Sequence, residues 1–198
     1  MTAPQLPALK IGRLDNLTIN LFAPDRTPLI EGVEIRAFEP AGNIPPLGAY
    51  WHGEGGFNAG LVRSEGGGKD YYLIVAVGPE AETKAEWGGY EHKTEGADSA
   101  SDGRANTRAL LADSEDHPAA KWASEFTADG RTDFYLPARR ELQIAEANTP
   151  ELFSKGYHWS STQSSAYTAY SLGFELGWQY HYAKYYERLV RPVRRKFL

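Results

Sequence analysis

The chain has no cysteine, which removes disulfides, thiolate metal sites and cysteine nucleophiles together. That absence fits folding in a reducing cytoplasm. Basic residues are outnumbered: the formal charge is −5, the opposite of the balance a nucleic-acid binder ordinarily carries. No stretch has the length of an apolar membrane-spanning helix. Residues 1–10 hold two prolines and no basic segment followed by an apolar run, so no signal-peptide pattern is visible. The expectation is a protein made in a cytoplasm, with no nucleic-acid partner and no membrane insertion.

Motifs for chemistry are equally scarce. The histidines, His52, His92, His117, His158 and His181, show no metal-ligand spacing such as His-Glu-x-x-His. Only His158 and His181 are expected to approach one another, across neighbouring strands. Ser160 and Ser161 lack the flanking glycines of a nucleophile elbow. Gly53, Gly55, Gly56, Gly60 and Gly66–Gly68 suit turns and close backbone approaches. They lack the lysine and serine of a phosphate loop and match no dinucleotide fingerprint. The acidic residues Asp98, Asp102, Asp113, Glu115 and Asp116 read as a solvated face with helix caps, a cation site being the alternative. No enzymatic activity, cofactor or metal is expected.

What is present is enough chain for a real core without staples and a pattern of strands around three helices. Residues 17–22 and 32–38 read as short strands, and the prolines at 40, 45 and 46 close off a segment of different texture, residues 1–46. It reads as a β-rich arm that docks the protein, or as a hairpin packed on the main domain. Tyr71–Val77 is a continuous apolar run and so a buried central strand. Asp102 caps a first helix through Leu110 and Leu111, and Pro118 opens a second with Ala119, Ala120, Trp122, Ala123 and Phe126 on its apolar face. A third spans Ala138–Ala147. Its Leu142, Ile144 and Ala145 face inward, and Arg139, Arg140, Glu141 and Glu146 face water. Strands follow at Tyr157–Ser161, Tyr167–Glu175, Trp178–Tyr182 and Leu189–Arg195. The last alternates Arg188, Arg191, Arg194, Arg195 and Lys196 with apolar residues like a half-buried strand. Helices in the middle and an antiparallel meander after them make the class α+β.

The most informative bias is aromatic. Ten of the thirty residues from Tyr157 to Tyr186 are Tyr, Trp or Phe, set among Ser and Gln. Such rings give large, stiff contact area with a polar tip. Alternation sends about half of them inward: Trp159, Tyr170, Leu172 and Phe174 are the expected core. Gln163, Ser165, Tyr167, Trp178, Tyr180, His181, Tyr182, Tyr185 and Tyr186 are the candidate ligand-binding residues. An external ligand, a subunit contact and a sheet buried by its own loops are the open readings of this face.

Six segments then occur in order: Asp102-Gly-Arg-Ala-Asn-Thr107 with Ala109-Leu-Leu111, Pro118-Ala-Ala-Lys-Trp122, Phe134-Tyr-Leu-Pro137, Arg140-Glu-Leu142, Trp159-Ser-Ser-Thr162 and Val190-Arg-Pro-Val-Arg-Arg195. Together, over about residues 47–198, they resemble the DUF1566 family of tailed phages and prophages, related to the C-terminal domain of the Legionella collagen-like adhesin. The chain departs from the family at His158, where an aromatic often stands, at Ala138, where serine is usual, and at Tyr170, where tryptophan is usual. The first departure is expected near the binding face. The resemblance implies a C-type-lectin-like domain, residues 47–198, behind the N-terminal β arm. The formylglycine-generating enzymes share a related fold, but their chemistry needs the cysteines missing here. Sugar-binding C-type lectins hold calcium, but neither Glu-Pro-Asn nor Trp-Asn-Asp is present.

The function so implied is a non-enzymatic virion recognition protein, a tail-tip or fibre-associated receptor-binding module. Its expected partners are a host cell-surface glycan or protein, other virion proteins through residues 1–46, and further copies of itself in a homo-oligomer. The alternatives are a structural virion protein, such as a capsid decoration or baseplate component, and a bacterial surface adhesin diversified by a retroelement.

Overall fold

The apolar run at Tyr71 becomes the middle of a sheet, as its lack of polar alternation requires. The chain divides into two units after Gly42. The computed structural model describes residues 44–64 and 67–198, all in the second unit. The strands expected at 17–22 and 32–38, the turn at Gly66 and all but the last three residues of the docking arm lie outside the described residues. Within them the elements run β1 (Tyr50–Trp51), β2 (Gly56–Val62), β3 (Tyr71–Ala76), β4 (Thr83–Glu86), α1 (Gly103–Ala112), α2 (Pro118–Glu125), α3 (Arg139–Asn148), β5 (Tyr157–Gln163), β6 (Thr168–Gly173), β7 (Gln179–Ala183), β8 (Glu187–Val190) and β9 (Val193–Phe197). The class is mixed α+β, richer in strand than in helix.

Two sheets result, ordered β1-β2-β3-β9 and β4-β8-β5-β6-β7. All pairings are antiparallel except β5 with β8. Gly60, at a φ of 109°, takes the bulge between Asn58 and Gly60 in β2. The single strand expected over Leu189–Arg195 is two strands in different sheets. Pro192 is the cause: it has no N–H for a ladder and breaks the run. Its carbonyl instead accepts from the Ala76 amide at 3.0 Å. Beside it the buried Arg191 guanidinium gives two hydrogen bonds to the Ala76 carbonyl, at 3.2 and 2.8 Å, and one to Glu82 at 3.3 Å. The crossing from one sheet to the other is therefore pinned by a charged side chain.

The helices start where their capping residues are. The Asp102 carboxylate accepts from the Ala105 amide at 3.0 Å, and Pro118 occupies the first turn of α2. Helix α3 begins one residue later than expected, with Ala138 at its N-cap. Alanine offers no capping oxygen, and Glu141 answers from the third position by accepting from the Ala138 amide at 2.8 Å. This corrects the expectation that Glu141 faces water. It is wholly buried, because Tyr71, Tyr135 and Arg195 converge on the same carboxylate.

The second sheet is covered on both sides, which explains a further correction. One side of β6 carries Leu172, clustered with Leu142 and Ala145 of α3. The other carries Ala169, clustered with Trp159, Trp87, Leu110 and the alanines of α2. Ala169 and Ser171, which alternate with the expected core residues along β6, are buried as well, while Tyr170, expected in the core, is only half-buried beneath the Arg139 guanidinium, 4.7 Å from its ring centroid. Trp159, Leu172 and Phe174 are buried as expected.

Candidate functional site

Strand β7 is the edge of its sheet, and its alternation sorts the candidate residues. Tyr180 and Tyr182 project to one face, Gln179 and His181 to the other. Across β6, Tyr157 reaches the same face as Tyr180 and Tyr182, with ring centroids 5.9 and 5.1 Å away. It does so over Gly173, its partner in the ladder. A Cβ on Gly173 would sit 3.1 Å from the Tyr157 ring, so glycine leaves the space the ring occupies.

From there the rings form an unbroken belt. Trp178 lies 6.4 Å from Tyr180, and Tyr180 6.1 Å from Tyr182. The Arg188 guanidinium then bridges Tyr182 and Tyr186, 4.3 and 5.2 Å from their centroids. Tyr186 meets Tyr185 at 4.6 Å, Tyr185 meets Tyr90 at 4.9 Å, and Tyr90 meets Tyr167 at 5.6 Å. The belt faces solvent: Trp178 is 56% exposed, Tyr167 53% and Tyr180 48%. Partial burial first, and the Tyr182 hydroxyl second, raise the pKa of the Tyr157 phenol. A hydrogen bond with Tyr186 does the same for Tyr185. Both therefore stay neutral, able to donate or accept.

Tyr90 carries no sequence signal of its own, and the structure adds it to the site. Its loop is fastened by Lys184, which is wholly buried. The Lys184 ammonium donates to the carbonyls of Gly89 and His92 at 3.3 and 2.7 Å and to the Gln163 side-chain oxygen at 3.3 Å. It also lies 4.5 Å from the Trp87 ring centroid. Its own carbonyl accepts from the amides of Trp87 and Gly88. Burial lowers the ammonium pKa to about 8. Gly89, at a φ of 57°, turns the loop against the His117 ring.

Three candidates are not part of this face. Gln163, expected at the surface, is 4% exposed. Its amide is consumed by Thr94, whose backbone N–H it accepts at 3.2 Å and to whose carbonyl it donates. Ser165 is half-buried and holds the β5–β6 turn, its hydroxyl accepting from the amides of Tyr167 and Thr168 at 3.1 Å each. His181 is exposed on the opposite face, edge-on to Tyr170 at 6.2 Å. Nor does His181 approach His158, since β6 lies between their strands. His158 is also far from a binding face: it is wholly buried, bonded to Glu82 at 3.0 Å and packed among Phe153 and Phe174.

Elsewhere the polar groups are structural. Ser160 and Ser161 are buried, with hydrogen bonds to the Tyr170 carbonyl and from Asn106. Asp113 pairs with His92 at 3.0 Å. Burial pushes its carboxyl up, but hydrogen bonds from Thr94 and the following amides, together with His92, hold its pKa well below the ordinary range. Among the described residues no three His, Asp or Glu side chains converge as metal ligands would. A shallow groove of about 400 Å³ runs along α3, lined by Leu61, Arg140, Gln143, Ile144, Ala147 and Asn148. The belt is thus a surface for stacking and hydrogen bonding. Comparison of the chain with models of known protein families and with curated proteins finds no match in either.

Proposed function

We propose that this chain is a non-enzymatic recognition protein of a phage virion, with a C-type-lectin-like domain that attaches to a glycan or protein on a host surface. The observation that carries the reading is the belt from Trp178 to Tyr167. A run of exposed rings this long is costly to leave in water unless it has a partner. Tyr and Trp suit the task, since they lose little entropy on contact and keep a polar tip for hydrogen bonds. The two sheets and three short helices support the lectin-like architecture, and the ordered motifs from Asp102 to Arg195 support the phage setting. Residues 1–46 dock the domain to other virion proteins, and several copies raise a weak single-site affinity.

The test is adsorption to host cells by the chain with Trp178, Tyr180 and Tyr182 all changed to Ala. The expected result is loss of adsorption with the fold intact. A Trp178→Ala/Tyr180→Ala pair, which touches only well-exposed rings, serves as the control for folding. Unchanged adsorption by a folded triple variant overturns the reading. Self-association that disappears in the same variant, with adsorption unchanged, instead identifies the belt as a subunit contact of a structural virion protein.

A further inference from the structure

The C-terminal arginines are not alike. Arg191 bonds Glu82, Arg194 bonds Glu54 and Asp133, and Arg195 bonds Glu141 and Asp102. Arg188 has no carboxylate partner among the described residues. Its hydrogen bond is one from Nη1 to its neighbour's carbonyl, Glu187, at 3.1 Å, and its Nε is covered with no acceptor at all. A covered donor without an acceptor is uncommon and calls for an explanation. Meanwhile the guanidinium lies over two rings, Tyr182 and Tyr186, which restricts its orientation before anything binds.

The surroundings leave that charge unopposed. Period-two alternation along β8 points Glu187 to the sheet face opposite Arg188, where it pairs across with Glu86. Among the described residues, Arg188 is the one cation stacked on the rings of the belt of Trp178, Tyr180, Tyr182, Tyr157, Tyr185 and Tyr186. The rings to either side follow one another at 4.6–6.4 Å between centroids, a step comparable with one pyranose residue. Sugar rings lay their C–H faces on such aromatics and use the phenol hydroxyls as hydrogen-bond partners.

From these observations we infer that the belt takes an acidic saccharide, one whose carboxylate pairs with Arg188 while the neighbouring sugars lie on the flanking rings. The inference rests on the recognition reading above and names its ligand class. A carboxylate on the terminal Nη edge of the guanidinium, where the chain supplies only the Glu187 carbonyl, takes charge-assisted hydrogen bonds of the kind arginine favours. A single charge among many rings fits an occasional acid on a largely uncharged surface, not a polyanion.

The experiment titrates the full chain with 3′-sialyllactose against lactose and with cellobiouronate against cellobiose. The same titrations follow with Arg188→Gln and Arg188→Lys. The expected result is that at least one acid binds about tenfold more tightly than its neutral counterpart. The preference is lost in Arg188→Gln and weakens with added salt. Arg188→Lys, which keeps the charge without the planar guanidinium, retains only part of it. Equal binding of acid and neutral sugar, or a preference that survives Arg188→Gln, overturns the inference. So does binding of a glutamate-rich peptide with no binding of any sugar. If no sugar binds yet the Trp178/Tyr180/Tyr182 variant still loses host adsorption, the saccharide assignment falls and the recognition reading stands. If adsorption is also unmoved, the recognition reading falls with it.

Discussion

Glu141 and Arg195 meet in a 2.9 Å ion pair inside the domain, tying α3 to the last strand. The same carboxylate oxygen accepts the hydroxyls of Tyr71 at 2.6 Å and Tyr135 at 2.7 Å. The other caps the helix through the Ala138 amide. Two strands of one sheet, the segment at Tyr135 and a helix are thereby joined at one buried charge, and that charge is tolerable only because every oxygen is answered. Glu141→Ala leaves Arg195 and two phenols without their acceptor. Chemical denaturation is expected to show a loss of about 3–5 kcal/mol. In a double-mutant cycle with Arg195→Ala, the two losses add to clearly more than the double variant loses.

Acid acts on a second buried pair. Burial alone would raise the Glu82 carboxyl, but hydrogen bonds from His158 and Ser154 overcome it and hold the pKa at about 2, below the ordinary 4.5. A carboxylate depressed on folding contributes stability that is fully present above its unfolded value and lost as pH falls through its folded one. The domain should therefore lose stability between about pH 4.5 and 2. The depressed carboxyls of Glu54 and Asp133, which remain charged beside Arg194 despite their burial, act in the same sense. Denaturation midpoints measured across that window should fall more steeply for the native chain than for Glu82→Gln, which starts lower at neutral pH. Parallel slopes in the two proteins would remove Glu82 from the account.

Lys184 reverses the sign. Its pKa falls on folding, from 10.5 to about 8, because burial disfavours the charged form. Between these values the unfolded chain holds the proton more firmly than the folded one, so stability rises with pH. The useful window runs from about pH 8 to the onset of tyrosine ionisation near 10. Tyr71, whose phenol is pushed above the ordinary 10.0 by burial and by Glu141, opposes folding beyond that. Lys184→Met should abolish the rise. It should also cost about 1–3 kcal/mol at neutral pH, since the carbonyls of Gly89 and His92 lose their donor.

These buried charges mark where reading the sequence stopped short. Periodicity located the three helices and the central strand at Tyr71, because apolar spacing and capping residues act within a few positions of one another. Glu141 looked like a helix-surface residue because its partners stand far away in the chain, Tyr71 at a separation of 70 and Arg195 at 54. Gln163 was misplaced for the same reason, its partner Thr94 lying 69 residues upstream. The break between β8 and β9 follows from Pro192, which the alternation on either side of it masks. On the surface, composition found the dense aromatic stretch, yet it could not separate the two faces of β7 beyond their parity, nor see a ring arriving from another loop.

That ring supplies the sharpest test of the site. Tyr90 comes from the loop clasped by Lys184 and stands between Tyr167 and Tyr185, whereas His181 sits on β7 itself but on the opposite sheet face. If the belt is the recognition surface, membership should follow spatial continuity and not position in the chain. Tyr90→Ala should then weaken host adsorption by about 1 kcal/mol or more, roughly fivefold, although it lies outside the aromatic-rich stretch. His181→Ala should leave adsorption unchanged, although it lies within that stretch and is exposed. Both side chains reach solvent, so both variants should melt close to the native chain, and the comparison reads binding and not folding. The opposite pattern, with His181→Ala harmful and Tyr90→Ala silent, would move the contact surface to the face where α3 and Tyr170 lie.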